Sequence, residues 1–324
     1  MTIEGKTSRR AFSAQALALG AGLSAGGLRL ASGVESTQQP RSWQSRLVAA
    51  PRLFCIAYVT PDAPGQGGQE ARVARYPLAI VPQDRRTAQL RWRDKVRSLN
   101  PNIVMLGYQM TIEETTVPGP GHDVLRRVQD CWTVQPNGQA LSVAIGSLDK
   151  KRRVYDPRKS EWQEGFVAAC RATLRSDPFE GLFLDQCTVY DNAHPDKAVR
   201  DEMRRGIQDA LTELRRSEPH ALIVANSAFS FTGVNGELNE GRPRDYAAEL
   251  APHPGLAAPR VDLAHVMVES DADRRALKSR MRSAHDYGAY FGAARDYQHV
   301  EWYDEFELFA RVPRPPSKPF IEDK

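Results

Sequence analysis

Eight short apolar runs, most of them separated by longer amphipathic stretches, constrain this chain more than any other feature. They are Leu53–Val59, Ile103–Tyr108, Ala140–Gly146, Gly181–Asp185, Leu222–Ala225, Gly233–Leu238, Ala264–Glu269 and Ala289–Gly292. Runs of this length and composition read as strands, and their alternation with helical patterns implies βα units around a parallel sheet. Eight is the number at which such a sheet closes on itself, so one (β/α)8 barrel of the TIM type is expected over residues 51–312. The 324 residues leave room for it, since such barrels take about 250.

Helical periodicity marks Thr87–Ser98, Asp123–Trp132, Ser160–Leu174, Asp196–Arg216 and Asp271–Tyr287, the last with an Asp at its start suited to capping. The clearest stripe is Val199, Met203, Ile207, Leu211 and Leu214. Only Ser227 to Thr232 joins the fifth and sixth runs, too little for a helix, so the barrel should be irregular there. Long Gly/Pro-rich segments follow the first two runs, Thr60 to Gln83 and Gln109 to His122. In a parallel barrel such loops lie at the carboxyl ends of the strands, where sites are built.

Ahead of the barrel stand Ser8, Arg9, Arg10 and Phe12, then an Ala/Leu/Gly stretch from Ala14 to about Leu28. This resembles a twin-arginine export signal, expected over residues 1–33 with cleavage near Val34 or, alternatively, at Ala25. The apolar run is shorter than the roughly 20 residues of a spanning helix, so no membrane span is expected in the mature form. A linker is expected over 34–50 and a tail over 313–324. Residues 1–33 carry three of the four net positive charges, leaving +1 for the rest and little support for a nucleic-acid surface. The basic runs Lys150 to Arg153 and Arg274 to Arg282 read as solvated faces. Cys55, Cys131, Cys170 and Cys187 have no zinc-ligand spacing, and neither a structural metal nor a disulfide is expected. No dinucleotide or P-loop glycine pattern is present, so no cofactor is implied.

Three acidic residues close apolar runs. Asp185 ends Gly181-Leu-Phe-Leu, Glu240 follows the run ending at Leu238, and Glu269 ends His265-Val-Met-Val. A charge at such a position must be solvated or paired, which puts it at the barrel mouth. Glu237 competes with Glu240 but suits the barrel interior or an arginine; Glu240, followed by Gly241, is better placed to reach a ligand. Two carboxylates across a mouth suit hydrolysis of a sugar acetal, one as acid and the other as nucleophile or base, with their separation deciding the stereochemistry. Tyr58, Tyr108, Tyr190, Trp302 and Tyr303 are candidate stacking walls, and Asn226 a candidate substrate contact.

Tyr155-Asp156-Pro157 through Trp162, then Glu180-Gly-Leu-Phe-Leu-Asp185, Asn226-Ser227, Asn235-Gly-Glu-Leu-Asn-Glu-Gly241 and Trp302-Tyr-Asp-Glu-Phe306 together resemble glycoside hydrolases related to endo-α-1,4-polygalactosaminidases. The resemblance runs from about Leu53 to Phe309. It implies a (β/α)8 barrel with an Asp after strand four as nucleophile and a Glu after strand six as general acid/base, roles that fall on Asp185 and Glu240. An exported, retaining glycoside hydrolase acting on an extracellular or cell-surface polysaccharide is therefore expected, periplasmic or secreted, with the glycan and the export machinery as partners. The alternatives are a non-catalytic glycan-binding barrel, and a metal-dependent hydrolase using His194, Asp191, Asp185 and Glu269.

Overall fold

Backbone pairing, more than local sequence, decides which apolar runs enter the barrel. The computed structural model describes residues 42–63, 67–115, 117–128, 131–134, 137–145, 148–187, 189, 194–226, 231–240 and 256–310. All of these lie in the unit Pro40–Lys324. The expected signal segment and the C-terminal tail lie outside them.

Eight parallel strands form one sheet: β1 (Phe54–Ile56), β2 (Leu78–Val81), β3 (Val104–Met110), β6 (Gly181–Asp185), β7 (Leu222–Asn226), β8 (Gly236–Glu240), β9 (Leu263–Met267) and β10 (Tyr290–Ala294). The seam between first and last strands closes through a parallel bridge, Leu53 to Phe291, with Phe291 N donating to Arg52 O at 2.9 Å. The sheet is thus a (β/α)8-type barrel, as expected, but its membership differs from the sequence reading in two places. Leu78–Val81, inside the expected loop Thr60 to Gln83, is the second barrel strand, pairing with β1 and β3. The expected strand Ala140–Gly146 is not in the barrel. Its residues Ser142–Ile145 form β4, which pairs antiparallel with β5 (Leu148–Arg153) in a separate two-stranded sheet between β3 and β6 in sequence. The two differences cancel, so Asp185 still ends barrel strand four.

Alternation along each strand separates two surfaces. Phe54, Ile56, Leu78, Ile80, Val104, Leu106, Phe183, Leu222, Val224 and Leu263 share one buried cluster, the barrel interior. The intervening residues face helices. Leu182, Leu184, Ile223 and Ala225 pack under α5 (Ser160–Ser176) and α6 (Lys197–Ser217), and Ala264, Val266 and Phe291 under α7 (Asp271–Asp286). α6 buries Met203, Ile207, Leu211 and Leu214, and the Asp196 side chain caps it by accepting from Ala198 N at 2.8 Å. The cap of α7 is Ser270 rather than Asp271, because Asp271 is already helical and the Ser270 hydroxyl accepts from Asp273 N. α3 (Thr87–Leu99) and α4 (Pro120–Leu125) follow β2 and β3. α4 is shorter than the expected Asp123–Trp132. α2 (Glu70–Val73) and α8 (Asp304–Ala310) complete the outer layer.

Residues 43–49, within the expected linker, form α1 (Trp43–Ala49). Trp43 and Leu47 join the interior cluster, and Trp43 Nε1 donates to His220 O at 2.7 Å. Arg46 donates to Ile103 O and Glu180 Oε1, and Tyr290 OH donates to Leu47 O. These partners precede or start β3, β6, β7 and β10, so α1 plugs the amino-terminal end of the barrel. Gly181 and Gly236 begin the strands that carry Asp185 and Glu240. A Cβ on either would lie 1.9 Å from Leu222 O or 2.0 Å from Val261 O, so backbone packs where a side chain would stand.

Candidate active site at the carboxyl-terminal mouth

On three neighbouring strands the inward-facing residue at the carboxyl end is polar: Asp185 on β6, Asn226 on β7 and Glu240 on β8. Asn226 Nδ2 donates to Asp185 Oδ1 at 3.0 Å and to Glu240 Oε2 at 2.9 Å. One amide nitrogen therefore spans both carboxylates, and the two accepting oxygens stand at most about 6 Å apart.

The rest of the chain supplies further donors. Tyr108, inward on β3, donates to Asp185 Oδ2 at 2.7 Å. Gln186 takes a left-handed backbone, φ 52°, and its N–H donates to Asp185 Oδ1 at 2.9 Å. Tyr297, beyond β10, donates to Glu240 Oε1 at 2.8 Å. Tyr58 stands between these phenols, its ring centroid 5.1 Å from Tyr108 and 5.6 Å from Tyr297. Burial, reinforced by nearby carboxylates, raises all three phenol pKa values above the ordinary value, so the hydroxyls stay protonated as donors.

Glu240 lies at the exposed rim. Desolvation by the surrounding wall, together with the Asp185 charge, raises its pKa against the opposing pull of the Tyr297 and Asn226 hydrogen bonds. Its register partner on β9 is His265, a buried ring between Phe54 and Tyr297 whose Nε2 has no hydrogen-bond partner. Burial drives the pKa of His265 down to about 3, leaving a neutral imidazole beneath Tyr297.

One further acid flanks the mouth. Glu113, just beyond β3, is fully buried, and neither carboxylate oxygen has a hydrogen-bond partner. Arg152 Nη1 on β5 lies 3.7 Å from Glu113 Oε2, close enough for ion pairing but too far for a hydrogen bond. Burial first, then the Asp185 charge, raise Glu113 to about 7 against the opposing effect of Arg152.

Of the residues singled out from sequence, Asp185, Glu240, Asn226, Tyr58 and Tyr108 meet in one cluster. Tyr190 and Asp191 lie outside the described residues. Trp302 is not brought to the cluster: its ring packs on Tyr76 and Phe306 in the outer layer, under the Arg75 guanidinium, and its Nε1 donates to Glu307. Tyr303 also packs there, against Phe306 and Arg274. Glu237, three residues before Glu240, is on the opposite face of β8. Its N–H donates to Asp262, and burial together with the Asp262 charge raises its pKa to about 7. Glu269 is exposed, two residues past β9. His194 accepts from Asp196 N at the start of α6. Among the described residues no group of three or more His, Cys, Asp or Glu side chains could hold a metal ion, and no helix is long and apolar enough to cross a membrane. Sequence reasoning missed Tyr297, Glu113 and His265. The first two sit on loops with no periodicity, and only their place just past a strand end marks them.

The sequence matches no protein-family model and no curated protein. The structure is similar to the glycoside hydrolase domain of PelA from Pseudomonas aeruginosa, with a TM-score of 0.49 at 15% identity over 76% of this chain and 96% of that one. It is also similar to Ega3 from Aspergillus fumigatus, solved in complex with galactosamine, with a TM-score of 0.46 at 8% identity over 79% of this chain and 95% of that one. An α-galactosidase from Lactobacillus brevis gives 0.48 at 12% identity, covering 82% of this chain but 40% of that longer one. The similarity is one of barrel architecture and assigns no role to any residue.

Proposed function

We propose that this chain is an exported glycoside hydrolase that cleaves a polysaccharide at the barrel mouth with Asp185 and Glu240 and with net retention of configuration. The observation that carries the reading is the Asn226 amide shared between two inward-facing carboxylates. Roles follow from the surroundings. Asp185 accepts three hydrogen bonds, which hold its carboxylate in one orientation at the mouth and suit a nucleophile. Glu240 has the raised pKa that a proton donor needs.

In the first step an Asp185 oxygen attacks the anomeric carbon as Glu240 gives its proton to the departing glycosidic oxygen. In the second, the Glu240 carboxylate takes a proton from water, whose oxygen attacks the same carbon and releases Asp185. A carboxyl separation of about 5–5.5 Å suits this double displacement, whereas inversion needs about 6.5–9.5 Å to seat water between the acids. The limit set by the shared amide supports the shorter class. Asn226 donates to both carboxyls and so eases the repulsion between them when both are ionised, and the partly exposed Tyr58 and Tyr297 offer aromatic surface for a sugar ring.

Purified protein tested on a panel of microbial polysaccharides should release reducing sugar, with product anomers followed by NMR. Asp185→Asn and Glu240→Gln should each lower kcat by about 10³-fold or more while the fold persists. Full activity in either variant overturns the assignment, and saturable glycan binding without cleavage would favour the non-catalytic barrel. Export by the twin-arginine route is the matching proposal for residues 1–33. Replacing Arg9 and Arg10 with lysine should retain the protein in the cytoplasmic fraction.

A further inference from the structure

Beside the nucleophile sits a pair of opposite charges that the hydrolytic steps do not use. Glu113 is fully buried with both oxygens lacking a hydrogen-bond partner, an arrangement that costs free energy unless another group answers it. Its partner Arg152 reaches in from the β4–β5 hairpin, 3.7 Å away, with its side chain 28% exposed. Among the described residues no side-chain hydrogen bond holds the Arg152 guanidinium, which is fixed only through its backbone in the hairpin. Its planar fork of donors is therefore unfilled. The backbone places this pair next to β6: Thr111, two residues before Glu113, donates its N–H to Asp185 O at 3.0 Å, whereas Glu114 and Arg153 pair with each other on the exposed side.

We infer that Arg152 recognises a carboxylate carried by the substrate's sugar, so that the glycan contains hexuronic acid units, and that Glu113 is the counter-charge it leaves on binding. The inference rests on the barrel mouth being a glycan site, as proposed above. A guanidinium with free donors at the mouth meets a carboxylate in bidentate geometry, which a neutral hydroxyl cannot match. An arginine held in a bidentate pair would have to give up two strong hydrogen bonds to turn to a ligand, and this one has a loose ion pair instead. Release of Glu113 does not strand a buried charge. Its carboxylate sits with Asp185 nearby in a desolvated site and takes up a proton from solvent as Arg152 turns to the ligand.

Binding of oligogalacturonate, oligomannuronate and hyaluronan fragments to the full protein tests this by calorimetry, each against its carboxyl-reduced neutral counterpart. At least one acidic oligomer should bind about tenfold or more tightly than its neutral form, with net proton uptake at pH 7 seen on changing the buffer. Arg152→Ala should remove that preference and leave neutral binding in place, Arg152→Lys should retain part of it, and Glu113→Gln should abolish the proton uptake. Equal binding of acidic and neutral forms, no binding of any acidic oligomer, or a preference unchanged in Arg152→Ala overturns the inference. Cleavage is a separate readout. Acidic oligomers bound through Arg152 but never cut would count against hydrolysis and not against recognition, whereas a cleaved neutral glycan with Arg152 irrelevant would do the reverse.

Discussion

Tyr297, three residues beyond the last barrel strand, donates its phenol hydrogen to Glu240 Oε1 at 2.8 Å. The bond favours the carboxylate and so opposes the desolvation by the surrounding wall that raises the pKa of Glu240. Tyr297→Phe removes that opposition. The alkaline limb of the kcat/KM profile should move to higher pH, since the acid keeps its proton longer, and kcat should fall by about tenfold. An unmoved limb in a variant that still folds would show that Glu240 is not the proton donor.

Asn226→Ala deletes the amide shared by both carboxylates. Like charges then face each other with no donor between them, and the Glu240 pKa rises further. The expected result is a loss of about 10²-fold in kcat/KM with a small change in Tm, because Asn226 is only partly buried at the mouth. Matched kinetics and thermal melts check this; a large stability loss with kcat preserved would make Asn226 structural.

Gly181→Ala and Gly236→Ala test how the strands that carry Asp185 and Glu240 are seated. Each new methyl meets a carbonyl oxygen on a neighbouring segment, and backbone there cannot give way as a flexible side chain could. Destabilisation of about 3 kcal/mol or more is expected from either change, read as the midpoint of urea unfolding. Gly67→Ala, where a Cβ would meet nothing within 4 Å, is the control.

Buried acids and buried imidazoles should give this fold opposing pH slopes. Glu113 and Glu237, raised from 4.5 to about 7, bind protons more tightly folded than unfolded. Their contribution is fully present below the unfolded value and is lost as pH rises toward 7. His122 and His265, lowered from 6.5 to about 4 and about 3, contribute stability that is lost as pH falls below 6.5. Between about pH 4.5 and 6.5 the two pairs offset. Relative to wild type, Glu113→Gln should make stability rise more steeply with pH and His265→Phe less steeply, by up to about 1.4 kcal/mol per pH unit each. Urea unfolding at pH 5 and 6.5 measures both slopes.

The acids that end apolar runs were legible in the sequence because burial forces them to a strand end, and the structure brings Asp185 and Glu240 to one amide. Strand membership was less legible. Leu141-Ser-Val-Ala-Ile145 looks locally like a barrel strand, but β4 pairs with its own hairpin partner, and pairing is a long-range property that periodicity does not report. Leu78–Val81, between Pro77 and Pro82, was hidden because prolines next to a four-residue run read as loop. Trp302 looked like a sugar platform on residue type alone, yet its ring serves the packing of Tyr76 and Phe306. Glu113 and Arg152 are 39 positions apart, and only the folded hairpin makes them neighbours.

The seam between the first and last strands carries a consequence for when the protein becomes competent. Tyr297 follows β10, the strand that bridges back to Arg52 and Leu53, so a chain truncated before it holds Asp185, Asn226 and Glu240 but lacks one of the two donors to Glu240. The molecule thereby checks its own completeness: the pair of donors on Glu240 is whole only when the final rung of the cylinder is in place.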